Sequence, residues 1–290
     1  MGLTPTRALV ADAFAAGNGI GSFNVLHLET AEAIVEGAEA AGLPVILQIS
    51  ENCASYHGAL EPLAAACLSV ASAAAVPVAL HLDHAQDEDL VHQAVRLGFG
   101  SVMYDGAHLP YSENVAATAR VVKHAEPLGV FVEAELGKIG GKDGAHAPGV
   151  RTDPFEAADF VMSTGVDALA VAVGSSHAMA QRTAALDLDL IAELHSALPI
   201  PLVLHGSSGV ADAMLAAAIT AGMTKINVST HLNGFFTRAV RQSLGTDPDL
   251  VDSRKYFSAG RRALAPEASR LLSLFALSAN AEKAVTHGKD

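Results

Sequence analysis

VALHLDHAQDEDLVHQAVRLGFGSVMY, running from Val78 to Tyr104, is the stretch that decides the fold. It opens on a short apolar run, Val78–Asp83, and passes through Glu88–Leu97, where apolar residues recur at helical spacing. It then reaches Gly98 and closes on a second apolar run, Ser101–Tyr104. A strand-length apolar run, a helical segment ended by glycine and another apolar run together predict a crossover between two parallel strands.

The same unit repeats in both directions. Gly21–Leu26, Val45–Ser50, Val130–Glu135, Ala168–Val173, Leu202–His205 and Lys225–Val228 read as further strands. Thr30–Ala41, Glu113–Glu126, Phe155–Thr164 and Ala211–Ala221 read as helices between them. Gly42, Gly129, Gly165 and Gly222 mark helix ends as Gly98 does. That makes eight strands separated by helices. An open doubly wound sheet is the rival, but eight is the number that closes, so the expected fold is a (β/α)8 TIM barrel. The whole chain, 1–290, is expected to form one barrel domain, with a helical appendage beyond about Leu244. Gly137–Pro154, Gly-rich and polar after the fifth strand, is the longest interruption and reads as a mobile lid.

Bulk properties fit one large soluble domain. Half of the 290 residues are hydrophobic, enough for a continuous core. The formal charge of −13 argues against nucleic acid or an anionic membrane as partner, although a bound cation or aligned N–H groups leave a small anionic substrate open. Cys53 and Cys67 match no zinc or redox spacing and are expected to be reduced thiols. The first residues lack a basic-then-apolar export pattern. The Ala-rich run from Ala64 to Leu80 is interrupted by Ser69, Ser72 and Pro77 and is too short to span a bilayer. The expected location is the cytoplasm.

Chemistry concentrates at strand ends. His81-Leu82-Asp83-His84 closes the third strand, His177 follows the sixth and His205 ends the seventh. Strand alternation puts Asp83 and His84 on opposite faces, but the rule weakens where the chain begins to turn, so both are expected at the mouth. In a barrel the loops after the strands gather on one face. Three imidazoles converging there with an open position make a catalytic zinc arrangement. Gly206-Ser207-Ser208-Gly209 after strand seven and Asn227-Val228-Ser229-Thr230 after strand eight are small, hydroxyl-bearing and open helices, as a phosphate cradle requires. Within the lid, Gly137-Lys138-Ile139-Gly140-Gly141-Lys142-Asp143-Gly144 fails as a phosphate-binding P-loop, since Leu136 and Asp143 stand where Gly and Ser/Thr are needed. It reads better as a flexible loop presenting the acid Asp143.

From about Gly21 onward these features resemble the class II, zinc-dependent ketose-bisphosphate aldolases, in particular the short subgroup of fructose- and tagatose-bisphosphate aldolases. The carriers are SFN (Ser22–Asn24), ILQIS (Ile46–Ser50), HLDH (His81–His84), SVMYDGAHLP (Ser101–Pro110), EAELG (Glu133–Gly137), GVDALAVAVGSSH (Gly165–His177), PLVLHGSSGV (Pro201–Val210) and KINVST (Lys225–Thr230). The resemblance implies zinc on His84, His177 and His205, with Asp83 as the acid/base at the aldehyde oxygen. It implies dihydroxyacetone phosphate on Gly206, Ser207, Ser208 and Asn227 through Thr230, with Ala178, Asn24 and Ser50 beside it. Asp105 and Glu135 match carboxylates of an alternative metal position. Arg254 matches an arginine that reaches the distal phosphate across a subunit boundary. The resemblance also leaves room for a monovalent cation, and it implies a homodimer or homotetramer.

Four departures surround the substrate in that resemblance. Asp143 stands for the usual lid glutamate, Ala178 for a glycine after the second histidine, His27 for a second asparagine, and FALSANA (Phe275–Ala281) for an FGSAGKA-like stretch. The implied reaction is reversible cleavage of a phosphorylated ketose, with the cation as Lewis acid, Asp143 removing the proton beside the carbonyl and Asp83 serving the aldehyde oxygen. The rivals are a metal-dependent barrel hydrolase or epimerase and a phosphosugar-binding barrel without chemistry. A Schiff-base aldolase would need a strand lysine; Lys225 is expected at the end of strand eight remote from the active face, where it would serve poorly.

Overall fold

The computed structural model describes residues 2–136, 150–176, 179 and 181–277. Eight parallel strands are β1 Ile20–Asn24, β2 Val45–Ser50, β3 Pro77–Ala85, β4 Ser101–Tyr104, β5 Phe131–Leu136, β6 Ala168–Val171, β7 Leu202–Leu204 and β8 Met223–Val228. Each pairs with the next, and β8 pairs with β1, so the sheet closes on itself. The open-sheet alternative is therefore excluded. A two-residue strand, Gly2–Leu3, adds to the base of β3.

Alternation along each strand sorts the side chains into two environments. Leu47, Ile49, Leu80, Leu82, Val132, Ala134, Leu169 and Val171 point outward and pack in the large cluster beneath the helices. Ile20, Ile46, Ala79, Met103, Phe131, Ala168, Ala170 and Val203 point inward and form a separate small cluster in the barrel, together with Leu9 and Val10. Those last two belong to the helix Thr6–Ala16, which plugs the bottom of the barrel. Above this apolar floor the inward positions turn polar: Ser22, Gln48, His81, Ser101, Glu133 and Lys225 are all buried.

Helices Leu28–Ala41, Glu88–Leu97, Tyr111–Ala125, Pro154–Thr164 and Asp212–Ala221 occupy the expected places, within a few residues at their starts. Helices Thr6–Ala16, Glu51–His57, Glu61–Ala73 and Leu188–Ala197 were not expected; the first and third are so rich in alanine that no polar face contrasts with an apolar one. The C-terminal appendage begins later than Leu244. Thr230–Thr246 is the helix after β8, and the appendage is Ser253–Phe275, which lies along Leu28–Ala41 and reaches the barrel base, where Phe275 packs edge-on against Phe23.

Candidate metal site

The end of β3 is where the backbone departs from regular strand. The β3–β4 register shifts between Leu82 and Ala85, and His84 has φ +50. A left-handed, non-glycine residue at a bulge re-aims the side chains on either side of it. Asp83 and His84, which strict alternation would separate, therefore come together with His205 at the mouth. Their ligand atoms lie within 4.8 Å of one another, and His84 forms a second such group with Asp105 and Glu135.

Hydrogen-bond partners fix the ring tautomers. A carboxylate only accepts, so a ring nitrogen facing one carries the proton. His84 Nδ1 lies 2.9 Å from Asp105 Oδ2, and His205 Nε2 lies 2.9 Å from Glu133 Oε1. The remaining nitrogens, His84 Nε2 and His205 Nδ1, face each other at 2.8 Å. Two buried ring nitrogens held that close are placed to share a cation. The residues therefore fit a metal, with both far nitrogens already held as metal-ligating imidazoles require.

Asp83 is buried beside them. Its Oδ2 accepts from Asn24 Nδ2 at 3.2 Å and from Gln48 Nε2 at 3.5 Å, and its Oδ1 from Asn227 Nδ2 at 3.4 Å. Burial pushes the Asp83 carboxyl up, but His84, His205, Lys225 and the bond from Asn24 outweigh it and hold the pKa below the ordinary value.

The two small-residue loops meet at one side of this cluster. The Ser207 hydroxyl donates to the Asn227 carbonyl, joining the loop after β7 to β8. Ser208 Oγ accepts from Ser229 N at 3.3 Å and His231 N at 3.2 Å, and so sits at the N-terminus of Thr230–Thr246, where backbone donors favour an anion. Gly206 has φ +67, and a Cβ there would fall 2.6 Å from the Ser176 carbonyl carbon and oxygen. Only glycine lets the β7 loop lie against the β6 loop in this way.

Val228 points outward into the helix layer, leaving only its backbone toward the mouth. Ser50 pairs in register with Asp83, while its hydroxyl caps Glu51–His57. Thr230 begins its helix. Arg254 is exposed and held by Asp252 through two bonds, Nε to Oδ1 at 3.0 Å and Nη2 to Oδ2 at 2.9 Å. Asp143, His177 and Ala178 lie outside the described residues.

Three residues were given no individual role in the sequence reading. Glu133, Gln48 and His81 are inward polar side chains on otherwise apolar strands, and the alternation Phe131, Glu133, Glu135 was the available signal. The expected placing of Lys225 is corrected: β8 begins two residues earlier, at Met223, and its buried ammonium reaches toward the site. Cys53 and Cys67 are both free and buried, and burial pushes the Cys67 thiol up to about 12. Among the described residues no helix is long and apolar enough to cross a membrane.

Comparison with known proteins finds close relatives of this arrangement. Residues 4–280 match the family described as Fructose-bisphosphate aldolase class-II. A Bacillus subtilis (strain 168) protein described as a "probable fructose-bisphosphate aldolase" is 40% identical over 252 residues, covering 86% of this chain and 88% of its own. A fructose-bisphosphate aldolase from Geobacillus stearothermophilus is 38% identical over 268 residues, 91% of this chain and 93% of its own. Among solved structures, the YdjI aldolase of Escherichia coli K12 superposes with a TM-score of 0.83 at 32% identity, covering 96% of this chain and 99% of that one.

Proposed function

Because the chain belongs to the class II fructose-bisphosphate aldolase family and is a carbon–carbon lyase acting on a bisphosphate ketose, we propose that it reversibly cleaves fructose- or tagatose-1,6-bisphosphate, or a ketose phosphate like them, to dihydroxyacetone phosphate and an aldehyde. The proposed cofactor is one divalent cation, zinc, on His84, His177 and His205. The observation that carries this reading is the 2.8 Å approach of His84 Nε2 and His205 Nδ1, each ring anchored at its far nitrogen by a carboxylate.

A cation bound there supplies electrophilic polarisation of the substrate carbonyl. The chain's own groups do the rest. Asp83, kept as a carboxylate, takes the proton from the hydroxyl on the departing aldehyde during cleavage and returns it on condensation. Asn24, Gln48 and Asn227 hold that carboxylate in place, so it acts from one orientation. Asp143 is proposed to move the proton next to the ketone. Gly206, Ser207, Ser208 and Asn227 through Thr230 are proposed to hold the nearer phosphate, and Arg254 the distal phosphate of a neighbouring subunit in a cytoplasmic homo-oligomer. The chain is proposed to act as one barrel domain, 1–290.

The test is retro-aldol cleavage of a panel of phosphorylated ketoses by the full-length protein, with and without chelator. Release of dihydroxyacetone phosphate that stops on chelation and returns with zinc is expected. Turnover indifferent to chelator would overturn the metal assignment.

A further inference from the structure

Below the mouth, where the barrel interior would ordinarily be apolar, sits a fully buried Lys225 opposite a fully buried Glu133. Replacing a buried ion pair by well-packed apolar residues is often neutral or stabilising, so stability alone does not account for it. The geometry does. The lysine ammonium has three donors and accepts nothing. It forms an ion pair with Glu133 Oε2 at 2.8 Å and donates to two acceptors, Asn227 Oδ1 at 2.8 Å and His81 Nε2 at 3.4 Å.

Each partner is committed by that contact. Because Lys225 only donates, the end of the Asn227 amide facing it is the oxygen, and the amide nitrogen is turned up to lie 3.4 Å from Asp83 Oδ1 and 3.1 Å from His205 Nε2. With Glu133 Oε2 held by the ammonium, the other oxygen, Oε1, accepts from His205 Nε2 at 2.9 Å. His205 Nε2 also lies 3.1 Å from the Asn227 amide nitrogen, but the carboxylate is nearer, charged and can only accept, so the ring proton goes to Glu133 and Nδ1 is left facing His84. The third partner is fixed from behind. Ser101 Oγ donates to the Leu80 carbonyl and accepts from Thr6 Oγ1, so its 2.8 Å contact with His81 Nδ1 is another acceptance, and His81 Nε2 is left to accept from Lys225.

We propose that Lys225 is a positioning residue whose single ammonium sets both the His205 tautomer and the Asn227 amide orientation, and thereby aims one proposed metal ligand and one partner of the proposed acid/base. The inference rests on the reading of His205 as a ligand. Glu133 transmits half of the effect and Asn227 the other half.

The test uses full-length protein labelled with 15N-histidine and stripped of metal by chelator, followed by Co2+ titration monitored in the visible spectrum. In the unsubstituted protein the His205 ring is expected as a single neutral tautomer protonated at Nε2. In Lys225→Met that signature should be lost, and Co2+ should bind about ten- to a hundredfold more weakly, the range for residues that orient metal ligands. Lys225→Met/Glu133→Gln removes both buried charges together and keeps the fold if the single variant does not; it should show the same two losses while melting near the parent. A folded double variant with the parent's tautomer and Co2+ affinity overturns the proposal. If the parent binds no Co2+ while the tautomer still responds to Lys225, the metal reading fails and the positioning role stands.

Discussion

His84 and Asp105 are joined at 2.9 Å between Nδ1 and Oδ2, and this bond turns the His84 ring so that Nε2 looks across the barrel mouth at His205. Asp105 follows β4 and is itself held, accepting from Ala107 N at 3.3 Å. Asp105→Ala is expected to weaken metal binding by about ten- to a hundredfold without loss of fold. A competition titration against a chromogenic chelator measures this, and unchanged affinity would remove Asp105 from the support of His84.

Asp83 stands close enough to both imidazoles to be read as a third ligand or as the acid/base. The two readings part in Asp83→Ala. As acid/base, Asp83 can be removed with metal content intact and turnover down at least about a hundredfold. Metal analysis beside steady-state kinetics decides it, since loss of metal together with turnover would make Asp83 a ligand.

His205→Ala deletes the ring that Glu133 orients and is expected to lose bound metal and turnover together. Retention of both in a folded variant would place the cation elsewhere.

Gly206 combines φ +67 with a carbonyl group 2.6 Å from where its Cβ would sit. Gly206→Ala therefore forces either left-handed strain or separation of the β6 and β7 loops, at a cost on the order of 1–3 kcal/mol. Urea unfolding checks this; a variant as stable as the parent would show that the two loops need not touch.

Glu267, on the C-terminal helix, is buried. Burial pushes its carboxyl up, but hydrogen bonds from Arg270 and His231 overcome this and bring it down to about 2, against an ordinary value of 4.5. A depressed value stabilises the fold in full above about pH 4.5, and the contribution is lost as pH falls toward 2. Glu267→Gln is expected to be less stable at pH 7 by up to about 3 kcal/mol, with the gap narrowing below pH 4.5. Denaturant melts at pH 7 and pH 3 compare the full gap with the reduced one, and an equal gap at each would show that the carboxylate charge is not the stabilising element.

The barrel was legible because its determinants are local. An apolar run, a helical spacing and a terminal glycine can each be read within about ten residues, as in Val78–Tyr104, and the count of eight follows from repetition. The placing of His84, His205 and Asp83 at the mouth was legible for the same reason, since each lies at the end of a strand. What only the tertiary structure decided is everything that depends on where inward side chains from different strands meet. The approach of His84 to His205 through the left-handed turn at His84, the pairing of Glu133 with His205, and the reach of Lys225 from β8 to β5 join residues as much as 121 positions apart. Barrel closure and strand register set those distances. Sequence periodicity reports which face a residue takes but carries no information about which partner waits across the barrel, and that partner determines the tautomers, the amide orientation and the depressed Asp83 carboxyl.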